Sequence, residues 1–261
     1  MFSTFQALVL GAVQGLTEFL PVSSSAHLVI IPWLFGWNDQ GLTFDVALHM
    51  GTLLALLLYY WRDWLDMGVS LADGRPLPRR LLLLLVVASA PGAVAGLLFE
   101  KQAETIFRSP GLIAITLALL GIALWAADVY GGKERRIEDL GLIDALLIGL
   151  SQAFAIIPGV SRSGATMTTA RILGIDRPDA ANFSFLMATP IIAGAGMVEV
   201  HKLLRSGLTA QVGWGFLTSA VFGLIAIAGL LRFLRTRTYR PFAIYRIVLA
   251  AIIVATVLAR R

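Results

Sequence analysis

Two short polar segments carry the residue types that could act on an anion. GLTEFLPVSSSAHL, residues 15–28, holds the carboxyl of Glu18, the consecutive hydroxyls of Ser23, Ser24 and Ser25, and the imidazole of His27. PGVSRSGAT, residues 158–166, holds the guanidinium of Arg162 between Ser161 and Ser163, with Thr166 a turn further on. A guanidinium grips phosphate or carboxylate oxygens through two parallel hydrogen bonds. A histidine exchanges protons near neutral pH. Glu18 follows Gln14 by four positions, so on a helix the two side chains share a face one turn apart. The serine clusters follow a proline and precede a helical stretch, where N-cap residues occur, and Ser23 and Ser161 are expected to cap. Two helix N-termini brought face to face would form a phosphate-sized cradle. A plain Glu18–Arg162 ion pair is the simpler alternative, and it leaves the flanking hydroxyls surplus. His49 and His201 have no polar neighbours in sequence and are expected to be structural.

The elements that must position these groups lie in lipid. Of 261 residues 57% are hydrophobic and 14% charged, against roughly 25% charged in a soluble domain, and the mean hydropathy is +0.80. Six stretches, roughly 44–62, 80–99, 110–130, 180–200, 213–231 and 243–259, reach the about 20 apolar residues that a spanning helix needs. A carboxylate at that depth costs at least about 2.5–3.5 kcal/mol unless it is paired or binds a cation. The net charge of +5 resides mostly in short connections, which marks topology and excludes a nucleic-acid stripe. Cysteine is absent, which excludes disulfides and thiolate metal sites. Residues 1–20 hold no Lys or Arg, so the N-terminus is expected to belong to the fold rather than to a cleaved signal. The connectors EKQAETIFRSP and YGGKERRIEDLG carry no sign of a second domain.

The two polar segments are also related to each other. Gly11, Gln14, Val22, Ser23 and Ser25 recur as Gly149, Gln152, Val160, Ser161 and Ser163, each 138 positions later. Each copy is an apolar run too short to cross, broken at Pro21 or Pro158, and each is followed by three full-length spans. Broken backbone at membrane depth survives only where protein buries it or water reaches it, so residues 5–37 and 140–174 are expected to be re-entrant helix pairs. Three intervening crossings turn the second copy over. The predicted fold class is therefore an all-α polytopic membrane protein, one domain over residues 1–261, with six transmembrane helices and two re-entrant pairs in an inverted-topology repeat of about 5–130 and 140–259. Lys101, Arg108, Lys202, Arg205, Arg260 and Arg261 fall on the face of the first hairpin, and twelve basic residues, among them Lys133, Arg136, Arg177 and Arg235, fall on the other. The second face is thus expected to be cytoplasmic.

With these residues assembled, the chain resembles the undecaprenyl-diphosphatase (bacitracin-resistance) family along its whole length. The likeness rests on QGLTEFLPVSSSAH, PGVSRSGAT, FSFLMATP and PFAIYR. The resemblance implies a bacterial inner-membrane hydrolase that removes the terminal phosphate of a long-chain prenyl diphosphate lipid, recycling the carrier for peptidoglycan synthesis with the help of a divalent cation, Mg²⁺ or Ca²⁺. It places the acidic motif on Gln14 and Glu18, the hydroxyl–histidine segment on Ser23 to His27, and the arginine motif on Ser161, Arg162, Ser163 and Thr166. The expected catalytic set is Glu18, Ser24, Ser25, His27 and Arg162, with Glu18 as metal ligand and Gln14, Ser23, Ser161, Ser163 and Thr166 holding substrate. Ser24 is the first choice of nucleophile and Ser25 the second, with His27 or an activated water as alternatives and His27 otherwise moving the proton. Two positions depart from the family pattern. Gln14 stands where many members have Glu, which removes a possible metal ligand, and Ala26 stands where glycine is common, which restricts a positive φ. The active site is expected to open outside the cytoplasm. A lipid-phosphate transporter or flippase would use the same cradle and is the alternative. The many glycines allow a homodimer through GxxxG-like contacts.

Overall fold

The computed structural model describes residues 3–38, 41–132, 134–206 and 209–260, with the side chains of Leu42, Glu100, Glu104 and residues 199–206 excepted. The expectations for Lys133 and Arg261, and for the side chains of His201, Lys202 and Arg205, lie outside the described residues.

The chain opens on a capped helix, α1 (Thr4–Phe19). Ser3 Oγ accepts from Gln6 N at 3.2 Å while Gln6 Oε1 accepts from Ser3 N at 2.9 Å, a capping box that sets the entry. The chain breaks at Leu20–Val22 and re-forms as α2 (Ser24–Phe35). There follow α3 (Gly41–Tyr59), α4 (Trp61–Asp73), α5 (Pro76–Glu104) and α6 (Pro110–Tyr130). The second half repeats the plan with α7 (Leu142–Ala153), a break, α8 (Arg162–Ile172), then α9 (Arg177–Ser206), α10 (Ala210–Leu234) and α11 (Arg240–Ala259). The two short broken pairs coincide with the predicted re-entrant segments, and the chain is a polytopic helical membrane protein. Among the described residues five helices are long and apolar enough to cross unaided.

The predicted span at 44–62 stands as a sixth only as part of a bent pair. Residues 43–59 qualify only together with α4, and the two bend by 71° at Tyr60. Asp45 and His49 dilute the apolar run of α3, and the charges Arg62, Asp63 and Asp66 of α4 draw that segment away from hydrocarbon.

Packing exchanges the halves. α1 lies along α10 and α3 beside the same helix, while in the mirror relation α7 lies along α5 and α9 beside α5; α3 meets α9 and α6 meets α11. The repeated glycines explain the closeness. A Cβ on Gly11 would come 2.5 Å from the Gly215 carbonyl oxygen, and one on Gly149 would come 2.3 Å from that of Ala88. Gly15 faces Ser219 and Gly223 in the same way, so the small-residue stripe Gly11/Gly15 is spent inside the chain against Gly215, Ser219 and Gly223 and does not serve a dimer. Ser219 Oγ also donates to Leu48 O at 2.8 Å, tying α10 to α3. The edge-to-face pair Phe19–Phe185, centroids 5.2 Å apart, closes the core beneath the first break.

Candidate active site

Both breaks end on a serine held in a backbone conformation that serine rarely adopts. Ser23 has φ 74° and Ser161 φ 70°, a strain of roughly 1–3 kcal/mol each. Each is an N-cap, as expected: Ser23 Oγ accepts from Ala26 N at 3.4 Å and Ser161 Oγ from Gly164 N at 3.0 Å. The positive φ therefore falls on the cap, and Ala26 sits at ease within α2, so the concern over the missing glycine there is removed.

The breaks are stitched together. Gly159 N donates to Ser23 Oγ at 3.0 Å, and Ser163 Oγ reaches the Glu18 and Leu20 carbonyls at 3.2 and 3.1 Å. Arg246 of α11, wholly buried, donates to Pro21 O at 3.1 Å, Gly159 O at 2.7 Å, Val160 O at 3.1 Å and Leu117 O at 3.3 Å. One guanidinium thus satisfies carbonyls that both broken hairpins leave bare in an apolar interior, where each would otherwise cost about 1–3 kcal/mol. In the sequence PFAIYR stands only as a family signature. An arginine seven residues into an apolar helix is the signal that could have revealed it.

Glu18 is the centre of the polar cluster. Ser24 Oγ donates to its Oε2 at 2.5 Å, and Gln14 Nε2 donates to the same oxygen at 3.0 Å. Arg162 Nη2 donates to Oε1 at 3.0 Å, while Arg162 Nη1 is anchored on the Ser184 carbonyl at 3.0 Å. The fourth neighbour corrects an expectation. His49 Nε2 lies 3.4 Å from Glu18 Oε2, and its Nδ1 hydrogen-bonds Asp45 O at 2.7 Å, so His49 belongs to the site. The chain order hides this pairing because its partner is on α1. The His49 side chain is 27% exposed and that of Arg162 11%, whereas Glu18 is 4%, so the cluster opens on the His49–Arg162 side.

The other expected site residues lie nearby with their polar atoms committed. His27 Nδ1 hydrogen-bonds the Ser23 carbonyl at 2.7 Å and its Nε2 meets the Tyr245 hydroxyl at 2.7 Å, with the two rings stacked. Its nitrogens therefore hold α2 in place and do not face Glu18. Ser25 Oγ pairs with Ser23 Oγ at 3.3 Å. Thr166 Oγ1 bonds the Arg162 carbonyl at 2.9 Å and Ser184 Oγ at 2.7 Å. The hydroxyls of Ser23, Ser161, Ser163 and Thr166 align two helix starts whose first amides precede the intrahelical ladder. The residues brought together around one carboxylate are Gln14, Glu18, Ser24, His49 and Arg162.

Among the described residues no three His, Cys, Asp or Glu converge as a metal cage. The buried Gln14 Oε1, however, has no hydrogen-bond partner and sits on the residue one turn from Glu18. An amide oxygen beside one carboxylate suits a hard cation that arrives with phosphate oxygens of its own.

The sequence profile described as "Bacitracin resistance protein BacA" matches residues 7–252. Proteins named undecaprenyl-diphosphatase from Moorella thermoacetica, Desulforudis audaxviator and Pelotomaculum thermopropionicum are 54%, 50% and 48% identical, over 99%, 98% and 99% of this chain and 100%, 98% and 98% of their own. The chain belongs to the bacitracin resistance protein BacA family.

Proposed function

We propose that this chain is an undecaprenyl-diphosphate phosphatase that uses Ser24 as nucleophile and the Glu18–His49 pair as proton acceptor. The observation that carries the assignment is the 2.5 Å hydrogen bond from Ser24 Oγ to Glu18 Oε2, with Arg162 on the other carboxylate oxygen. Ser24 is the first residue of α2, so a phosphate lying before its hydroxyl also meets the positive end of that helix.

In the reaction the Ser24 oxygen forms a bond to the terminal phosphorus as the bridging P–O bond breaks, and the prenyl monophosphate leaves. The hydroxyl proton passes to Glu18, with His49 beside it to share the charge. Arg162, preset by Ser184, swings its free edge from Glu18 to the phosphoryl oxygens, where negative charge accumulates. Water then attacks the phosphoserine and releases inorganic phosphate, returning the hydrogen to Ser24. Ser25 and His27 are less suited to attack because their polar atoms already engage Ser23 and Tyr245. A divalent cation held by Glu18 and Gln14 would neutralise the diphosphate as it enters.

The twofold excess of basic residues on one face supports a cytoplasmic assignment for that face and an extracytoplasmic mouth for the site, in the plasma membrane of a bacterium. Phosphate release from undecaprenyl diphosphate by the purified chain in nanodiscs, with and without chelator, tests the activity. Acid quenching of a single turnover tests the nucleophile. A phosphorylated peptide containing Ser24 is expected. A Ser24→Ala variant that hydrolyses at the parent rate, or a parent chain that flips the lipid while releasing no phosphate, would overturn the reading.

A further inference from the structure

We propose a second anion site, at the end of the bundle opposite the α8 N-terminus, that takes a phosphate group supplied by an anionic phospholipid headgroup or by free inorganic phosphate. It is a cleft of about 300 Å³ lined by Arg136, Arg171, Asp176, Arg177, Leu234 and Arg235, together with Pro178. That volume suits a phosphate or a glycerophosphate head.

Arg171 carries the argument. Its side chain is wholly buried, yet only Nη1 is used, on the Ile175 carbonyl; Nε and Nη2 have no hydrogen-bond partner. The nearest carboxylate, Asp128, is 3.6 Å from Nε and already committed, with Oδ1 accepting from Arg177 Nε at 2.6 Å and Oδ2 from Tyr239 N at 2.9 Å. A buried guanidinium with idle donors is costly unless something supplies acceptors, and phosphate oxygens match its fork. The remaining charges point the same way. Arg136 is shared by Asp176 at 2.9 Å and Asp179 at 4.0 Å, and Arg235 makes no ion pair among the described residues. Four guanidiniums and one carboxylate, Asp176, line the cleft, with Asp128 and Asp179 paired to them from outside the lining and Asp139 on the Arg136 amide. Arg177 and Pro178 are the first residues of the 30-residue α9, whose positive end faces the cleft.

The cleft is separate from the catalytic cluster. Arg162 and Arg171 occupy one helix nine residues apart, about 13 Å along its axis. Arg136, Arg177 and Arg235 all lie on the face whose basic excess marks it as cytoplasmic, where anionic headgroups and free phosphate both occur.

The test uses the full chain, a surface double variant, Arg136→Gln with Arg235→Gln, and a conservative core variant, Arg171→Lys. One arm counts phosphatidylglycerol retained in native mass spectra from nanodiscs. The other measures equilibrium binding of radiolabelled inorganic phosphate in a non-ionic detergent. The double variant is expected to lose about tenfold or more in affinity for one probe, the size of a lost charge-assisted contact, with prenyl diphosphate hydrolysis unchanged. A loss confined to phosphatidylglycerol assigns a lipid headgroup, and a loss in the detergent arm assigns free phosphate. If Arg171→Lys does not fold, the double variant decides alone. Equal binding of both probes by parent and double variant overturns the site, as does a loss matched by an equal fall in hydrolysis.

Discussion

The two broken hairpins share a backbone plan and divide the chemistry between them. At the 138-residue offset Ser23 matches Ser161 in its cap and its positive φ, and Gly11 matches Gly149 in its approach to the opposite half. The side chains that handle charge do not match: Glu18 corresponds to Ile156, Ser24 to Arg162 and His27 to Ala165. The first hairpin thus supplies acid and hydroxyl, the second supplies the cation, and the charge of Glu18 is met by Arg162 only across the two. Gln14 and Gln152 show the same division. Gln14 gives its amide to Glu18, whereas the Gln152 side chain is buried against Gly92 with neither polar atom hydrogen-bonded. The frame recurs because it answers to backbone hydrogen bonding. The chemistry differs because one bilayer-embedded site needs both signs of charge.

Substitutions can break the comparison, beginning with the largest effect. Ser24→Ala is expected to lower kcat for phosphate release by about a thousandfold or more with thermal stability nearly unchanged, since it removes the attacking group and one hydrogen bond. Arg246→Met leaves the carbonyls of both breaks unpaired and is expected to destabilise the fold by about 3 kcal/mol or more, read as a lower unfolding temperature in detergent. Gly11→Ala and Gly149→Ala each drive a methyl into the opposite half's backbone and should cost about 1–3 kcal/mol apiece. A large effect at one glycine and none at the other would contradict the equivalence of the two hairpins.

Smaller changes sharpen it. His49→Gln is expected to slow hydrolysis about tenfold, below the roughly hundredfold or more of a direct proton carrier, and to flatten the pH–rate profile between about pH 5 and 8. His27→Asn keeps a donor near the Ser23 carbonyl and should leave that profile's shape intact. The reverse pattern would return proton transfer to His27. Gln152→Leu should be neutral or slightly stabilising in thermal unfolding, because it removes two unsatisfied buried atoms, whereas Gln14→Leu should lower activity.

The residues that could be read in the chain are those whose cost in lipid shows in one dimension. Glu18 and Arg162 stand out because an isolated charge in an apolar run demands a partner, and the breaks stand out because a proline and a serine cluster interrupt runs too short to cross. His49 and Arg246 were harder to place. His49 lies in an ordinary-looking helix and acquires its meaning only from the α1–α3 contact that sets it beside Glu18. The hydroxyls of Ser163 and Thr166 looked free to bind substrate because sequence displays donors and hides the carbonyls that claim them.

Hydropathy and the 138-residue repeat determined, from sequence alone, that this is a helical membrane protein with two interrupted hairpins, because bilayer thickness and backbone hydrogen bonding act on local segments. Which polar atoms face each other was decided only by tertiary structure: the packing of α1 on α10, of α7 on α5, and of Arg246 across both breaks brings together groups far apart in the chain, up to 225 residues for Pro21 and Arg246. Side-chain pairing at such separation depends on the relative placement of whole helices, and no local pattern encodes it.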